Sequence, residues 1–429
     1  MKNIFAAGMF DTKRRKLTLL NIVCCIFVFA LLYRLLVEQL FTNYHRYEDW
    51  QISEFLINYQ GGFVRRGLTG EILLFFTKNF NIDIIWTIKI FCLLCFAAVC
   101  AFFVRAFLKK GYSLYILPLC LFLGGGIVGD SWIRKDYLFF CFFVPVFWLY
   151  SKHNLSTIVK FVSINILAIG ITLSHEVFAF FSLPVLFLLL SNQNKGKGFI
   201  ASCGISFLYL LPSITAFLFT LVKNGNIEIA RTIWDSWTPY FDYETKKIGS
   251  SVKALALASD ETFFRHLRLN FTYTNKNIIS FWIWLITFPV IYYIATNTLL
   301  VFRKNKNVFT EEDKTILSSV LLFQFVCLLP LFTILSCDYI RVIFYWIASS
   351  FAIFLLVPKD TLKNLFPLWF VAIVQRFNTF LITILSPTKT ALVFLMMFVG
   401  ISAFFCVIES TYKSTMLYNI LWILSKPFV

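Results

Sequence analysis

The residues best suited to chemistry lie in the run Gly61-Gly62-Phe63-Val64-Arg65-Arg66-Gly67, where two adjacent arginines are enclosed by glycines. A guanidinium offers a planar fork of N–H donors that matches two oxygens of a phosphate, and glycines beside it let backbone and ligand approach closely. Three further groups set basic side chains beside acids: Arg134-Lys135-Asp136, Ser174-His175-Glu176, and Asp338 with Arg341. Acids also precede the double arginine, at Glu48, Asp49 and Glu54. A carboxylate or imidazole near a bound phosphate ester can take the proton of an attacking hydroxyl. The candidates are therefore Asp49, Glu54, His175 and Glu176 for catalysis, and Arg65, Arg66, Arg134, Lys135 and Arg341 for phosphate, with Gly61, Gly62, Gly67, Asp136 and Asp338 in support. Simpler roles compete. Asp49 could cap the helix after it, Asp338 and Arg341 could merely pair, Arg134 to Asp136 could snorkel to lipid headgroups, and His175 could be a satisfied structural histidine.

What must position these residues follows from composition. Of 429 residues, 59% are apolar and 14% charged. A mean hydropathy of +0.77 leaves too little polar material to cover a water-soluble domain. The chain reads as an all-α, polytopic membrane bundle forming one integral membrane domain over residues 1–429. A hydrocarbon core needs about 20 apolar residues per helical span. Twelve spans are expected, near 17–41, 84–107, 112–128, 137–151, 155–172, 177–191, 198–222, 278–301, 315–336, 342–357, 364–386 and 391–408. The first apolar run is too long for a cleavable signal and is read as a retained span. The stretch Met416 to Leu424 is too short to cross and should lie in the interface or pack on the bundle.

Lys13-Arg14-Arg15-Lys16 before the first span holds the amino terminus in the cytoplasm, because positive residues near span ends resist translocation. Arg105, Lys109, Lys110, Lys195, Lys197, Arg303, Lys304, Lys306 and Lys314 then fall on the same side. All the candidate site residues fall on the other. Two external segments are long, 42–83 and 223–277. In the first, Ile52, Phe55, Leu56 and Tyr59 recur at helical spacing until Gly61-Gly62, and Ile72 to Phe76 could form a second helix, both lying in the membrane interface. In the second, Phe264, Leu267 and Phe271 share a face away from Arg265 and Arg268.

The net charge of +17 is scattered through short loops rather than gathered on a soluble module, which argues against nucleic acid as a partner. The 11 cysteines lie almost entirely in apolar spans and outline neither a disulfide framework nor a zinc site. Cys92 and Cys95 read as small packing residues. No cofactor is implied. A divalent ion bridging phosphates is compatible with the chemistry, but no ligand spacing demands one. No internal repeat of the kind common in carriers is evident.

Cations kept where topology disfavours them, beside acids and at one face, define the expected site. On length, span number, Phe-rich composition and external arginines, the chain resembles Wzy-type O-antigen and capsule polymerases. In placing Glu48-Asp49 or Glu54 soon after the first span, ahead of interfacial helices, it is similar to GT-C glycosyltransferases. Arg231 has no glycine eleven residues later, a departure from the spacing of many polymerases. Either resemblance implies transfer of a sugar or oligosaccharide from a polyprenyl phosphate or diphosphate to an acceptor glycan, at the outer face of the bacterial inner membrane. A flippase for lipid-linked oligosaccharide is the alternative. It would need charge within the spans, where Arg34, Lys160 and Arg376 are the main examples.

Overall fold

In lipid every backbone N–H and C=O needs a partner from the protein itself, so apolar runs of this length fold as helices. The computed structural model describes residues 19–42, 45–223, 225–256, 263–264, 266–267, 280–336, 338–402 and 408–425, and among these there are helices and no strands. In chain order the main helices are α1 (Leu19–Thr42), α2 (Gly67–Phe80), α3 (Ile84–Lys110), α4 (Asp136–Ser151), α5 (Thr157–Ser174), α6 (Val177–Gln193), α7 (Phe199–Val222), α8 (Ile227–Asp235), α9 (Ser280–Val301), α10 (Glu311–Leu335), α11 (Tyr339–Leu356), α12 (Leu368–Leu385), α13 (Lys389–Phe398) and α14 (Met416–Ser425). Seven of them, α1, α3, α5, α7, α10, α11 and α12, are long and apolar enough to cross a membrane, and the chain is a multi-pass membrane bundle. Four further expected spans fall on shorter apolar helices, α4, α6, α9 and α13. The end of the expected span at 391–408 passes outside the described residues.

Helix α11 is the centre of the bundle, buried along most of its length, whereas α12 at the edge buries only Val374 and Leu381. It packs against α4, α6 and α10. Ala348, Ser349, Ser350 and Ala352 let neighbouring helices come close along it, and the Ser350 hydroxyl is satisfied by the Trp346 carbonyl at 2.7 Å. The stretch expected to pack on the bundle does so as α14, which lies on α1 with Trp422 against Tyr33.

The expected span at 112–128 is corrected. It is a run of turns ending in a single helical turn, Gly125–Val128. Pro118 lacks an N–H, and a Cβ at Gly124 would lie 2.0 Å from the Pro118 carbonyl oxygen, so the chain folds back on itself where a helix would run straight. The segment still covers the depth of the bundle. Tyr115 bonds Asn21 near the start of α1, and Asp130 bonds Gln39 near its end. Irregular backbone at this depth is tolerated only inside protein. Ile116 to Leu123 are accordingly buried except for Pro118, with Phe122 packed on Phe103 and Phe351.

The two long loops form one cap at the α1–α2 end. Backbone N–H groups of Ser250 and Ser251 donate to Glu48 O and Ser53 Oγ (both 3.0 Å), Trp237 Nε1 donates to Leu56 O (2.7 Å), and Tyr47 stacks on Phe241 (4.1 Å). This docking overturns the helix expected over Ile52–Tyr59. Only Trp50–Ser53 completes a turn, because Leu56 O goes to Trp237 and Tyr59 N–H goes to Glu71 (2.9 Å). Ile52, Phe55 and Leu56 lie under the second loop rather than in lipid. The second expected helix does form, as α2. It turns Ile72, Phe75, Phe76 and Phe80 outward and buries Leu73, Leu74 and Thr77. The face expected from Phe264, Leu267 and Phe271 lies partly outside the described residues.

Helix α2 can reach its place only because Gly70 abuts the preceding loop, where a Cβ would sit 1.9 Å from Ile57 O. Backbone cannot yield as a flexible side chain would, so Gly70→Val should cost about 2 kcal/mol or more. A fall in the detergent melting temperature, alongside an unchanged Gly204→Ala control in open space, checks this.

Candidate functional site

Four loop segments meet at the capped end. The first loop supplies Glu54, Arg65 and Arg66; the turn into α4 supplies Arg134, Lys135 and Asp136; the α5–α6 turn supplies His175 and Glu176; the start of α11 supplies Asp338 and Arg341. Glu54 is almost wholly buried and is faced by Arg134 Nη1 at 3.1 Å, His175 Nε2 at 3.4 Å and Arg66 Nη1 at 4.0 Å. Arg66 grips Glu176 through Nε (3.0 Å) and Nη2 (2.6 Å). Arg341 holds Asp136 with two donors, at 2.8 and 2.7 Å, and Asp338 with a third at 3.0 Å. The Tyr345 hydroxyl completes the Asp136 shell.

Lys135 is different. Its fully buried ammonium meets no carboxylate within 4 Å among the described residues and donates instead to Arg66 O (3.1 Å) and Ser174 O (3.2 Å). It thereby staples the loop carrying Arg66 to the turn carrying His175 and Glu176. Arg66 needs such bracing, because its φ of +67° is the left-handed region that a side chain disfavours.

Electrostatics follow from this pairing. Burial opposes ionisation of Glu54, yet the His175 contact and the Arg134 charge hold its pKa well below the usual carboxylate value. Burial likewise opposes ionisation of Glu176, and Arg66 and His175 overcome it. Burial pushes the Lys135 ammonium down to about 8. His175 is pushed down to about 4, by burial first and the Arg66 charge second. Its ring is neutral at pH 7. The Val177 N–H donates to Nδ1 at 3.3 Å, which leaves the ring proton on Nε2, directed at Glu54.

Four carboxylates, Glu54, Asp136, Glu176 and Asp338, are thus paired by three guanidiniums, Arg66, Arg134 and Arg341, while Lys135 is held by carbonyls. Arg65 is left over. It is half-buried, makes no hydrogen bond or ion pair among the described residues, and its pKa is lowered by burial and by Arg66, with Glu176 opposing. A poorly solvated, repelled guanidinium is a strong site for an anion.

The expected roles change accordingly. Arg134, Lys135 and Arg341 are not open phosphate ligands, since acids and carbonyls of the protein occupy them. Asp338 and Arg341 do pair, and Asp136 joins them. Asp49 lies outside the cluster's ion pairs and accepts the Arg46 N–H (2.8 Å) in a turn before Trp50–Ser53. Glu54 and His175 are interior groups that orient others. Gly61 and Gly67 serve packing, against Ile229 and the Tyr59 ring, while Gly62 supplies a φ of +111°. Asp130 belongs to a separate group with Gln39 and Arg34. Tyr345 was not foreseen, because a tyrosine within an apolar span reads as packing. Its position four residues after Arg341, on the same helix face, was the available signal. No group of three or more acidic, His or Cys side chains placed to hold a metal occurs among the described residues.

Fold and site together define a polytopic helical membrane protein with a charge-matched cluster at one end. A family model described as uncharacterised membrane protein Rv1490 matches residues 19–119, a stretch similar to that family which carries Glu54, Arg65 and Arg66 but not the remaining cluster residues. No curated protein and no solved structure matches the chain.

Because the folded pKa of His175 lies below its usual 6.5, the folded protein binds fewer protons than the unfolded chain between pH 6.5 and 4. Stability is fully present above that window and declines as pH falls through it, by on the order of 2 kcal/mol from pH 6.5 to 4.5. Thermal melts in detergent should fall over this interval for the wild type and stay nearly level for His175→Gln.

Proposed function

We propose that the cluster is the active site of an envelope glycosyltransferase or polymerase. It would transfer a sugar or oligosaccharide from a polyprenyl phosphate or diphosphate to an acceptor hydroxyl. In this reading the amino terminus is cytoplasmic, and the cluster opens at the outer face of a bacterial inner membrane. The observation that carries it is Arg65: a half-buried guanidinium that makes no hydrogen bond or ion pair among the described residues, beside a cluster whose other guanidiniums, Arg66, Arg134 and Arg341, are each paired with a carboxylate.

The acceptor oxygen attacks the anomeric carbon, its proton passes to a carboxylate, and the bond from that carbon to the carrier phosphate breaks with the electron pair leaving on phosphate oxygen. Arg65 stabilises the charge gathering there, with the outer side of Arg66 behind it. Glu176 is the proton acceptor, since its carboxylate is less enclosed than Glu54. Glu54 and His175 hold the arginines and the α5–α6 turn in place. The flippase alternative draws less support. Arg34 is tied to Asn419 and Asp130, Lys160 donates to Tyr150 O, and Arg376 faces outward on α12, so none lines an internal path.

In a strain whose surface glycan depends on the gene, Arg65→Gln should reduce product about 10²-fold, the usual effect of losing one transition-state charge partner. Glycan ladders read the effect, with Lys304→Gln as the unaffected control. Normal ladders from a correctly inserted Arg65→Gln protein would remove the catalytic reading.

A further inference from the structure

The far end of α11 lies about 27 Å from its start at the cluster, counting 18 residues at 1.5 Å each. There the ends of four helices enclose a cavity of about 300 Å³. Lys110 comes from the end of α3, Ser151 and His153 from the end of α4, Asp313 from the first turn of α10, and Val357 and Lys359 from the segment after α11. Tyr112 and Phe354 form an aromatic wall, their rings 6.3 Å apart.

The acids at this opening are already engaged. Asp313 accepts from Thr310 N (2.8 Å), Thr310 Oγ1 (2.7 Å) and Lys359 Nζ (3.0 Å), and Glu312 is held by Lys359 (2.9 Å) and Lys363 (2.8 Å). Lys110 and His153 are exposed and have no hydrogen bond or ion pair among the described residues. The cavity lining therefore includes an ammonium and an imidazole without protein partners among the described residues. The last residues of α11, Phe354 to Leu356, also line it, and their carbonyls have no following helical turn to bond. Donors for an anion and acceptors for hydroxyls in one cavity suit a hydroxylated phosphate ester. Its position at helix ends is the level of lipid headgroups, and basic pockets between spans are suited to anionic headgroups.

We propose that this cavity binds a hydroxylated phosphate ester of the glycerophosphate type, the phosphate on Lys110 and His153 and the hydroxyls on the α11 carbonyls. It is a site separate from the cluster and independent of the function assigned there.

The test uses delipidated full-length protein in neutral detergent, with native mass spectrometry and thermal melts as readouts. The probes are dioleoylphosphatidylglycerol, dioleoylphosphatidylcholine and glycerol 3-phosphate. Phosphatidylglycerol should bind about tenfold more tightly than phosphatidylcholine, and K110Q/H153Q should abolish most of that preference. Ser151→Tyr, which fills the cavity without changing charge, should do the same, while Arg65→Gln should leave it intact. Binding of glycerol 3-phosphate in preference to the lipid would support the pocket and assign a soluble ligand. Equal binding of the two lipids with no response to glycerol 3-phosphate overturns the proposal, as does a preference that survives both K110Q/H153Q and Ser151→Tyr.

Discussion

Charge buried beside a lipid-facing bundle has to be matched within the protein, and this requirement organises the capped end of the molecule. An uncompensated buried carboxylate would cost several kcal/mol, far more than a surface ion pair returns. Glu54, brought under the second loop by the packing of Ile52, Phe55 and Leu56, therefore needs Arg134, His175 and Arg66 around it. Arg66 in turn needs Glu176, and Asp136 needs Arg341. Apart from Glu54 with Arg66, which share the first loop, each pair joins segments far apart in sequence, so satisfying the charges fixes how the loops meet. The same constraint singles out Arg65: beside guanidiniums each paired with a carboxylate, it makes no hydrogen bond or ion pair among the described residues, and the proposed function rests on that.

The helical membrane architecture was legible in the sequence because apolar runs long enough to span have few alternatives in lipid. The gathering of Glu54, Arg66, Arg134, Glu176 and Arg341 at one end was legible too, from their shared positions at span ends. Their partners were not. Nothing in the spacing of Arg341 distinguishes pairing with Asp338 alone from the Asp338 and Asp136 arrangement the fold produces. Arg134 and Lys135 are neighbours with the same charge, yet one neutralises a carboxylate and the other bridges two carbonyls. Tertiary contacts decide such differences.

Two misread segments have one cause. The stretch 112–128 has the hydropathy of a span, and Ile52–Tyr59 has the periodicity of an interfacial helix, but protein covers most of both, Ile116 to Leu123 and Ile52 to Asn58 above all. Once covered, their backbone groups take partners outside the helical ladder, as Leu56 O does across the fold in Trp237 and Leu123 N does within its own segment in Leu117 O. Hydropathy reports that a segment avoids water and says nothing of whether lipid or protein replaces it.

The pairing of Arg66 with Glu176 is the shortest ion pair between the first loop and the α5–α6 turn, and a double-mutant cycle tests it most directly. Stability in detergent would be measured for Arg66→Met, Glu176→Leu and the double variant. Each single change should cost about 3 kcal/mol by stranding its buried partner, and the double variant should recover at least about 1 kcal/mol relative to their sum. Effects that add to within about 0.5 kcal/mol would mean that the two side chains do not meet, contradicting the convergence on which the site depends.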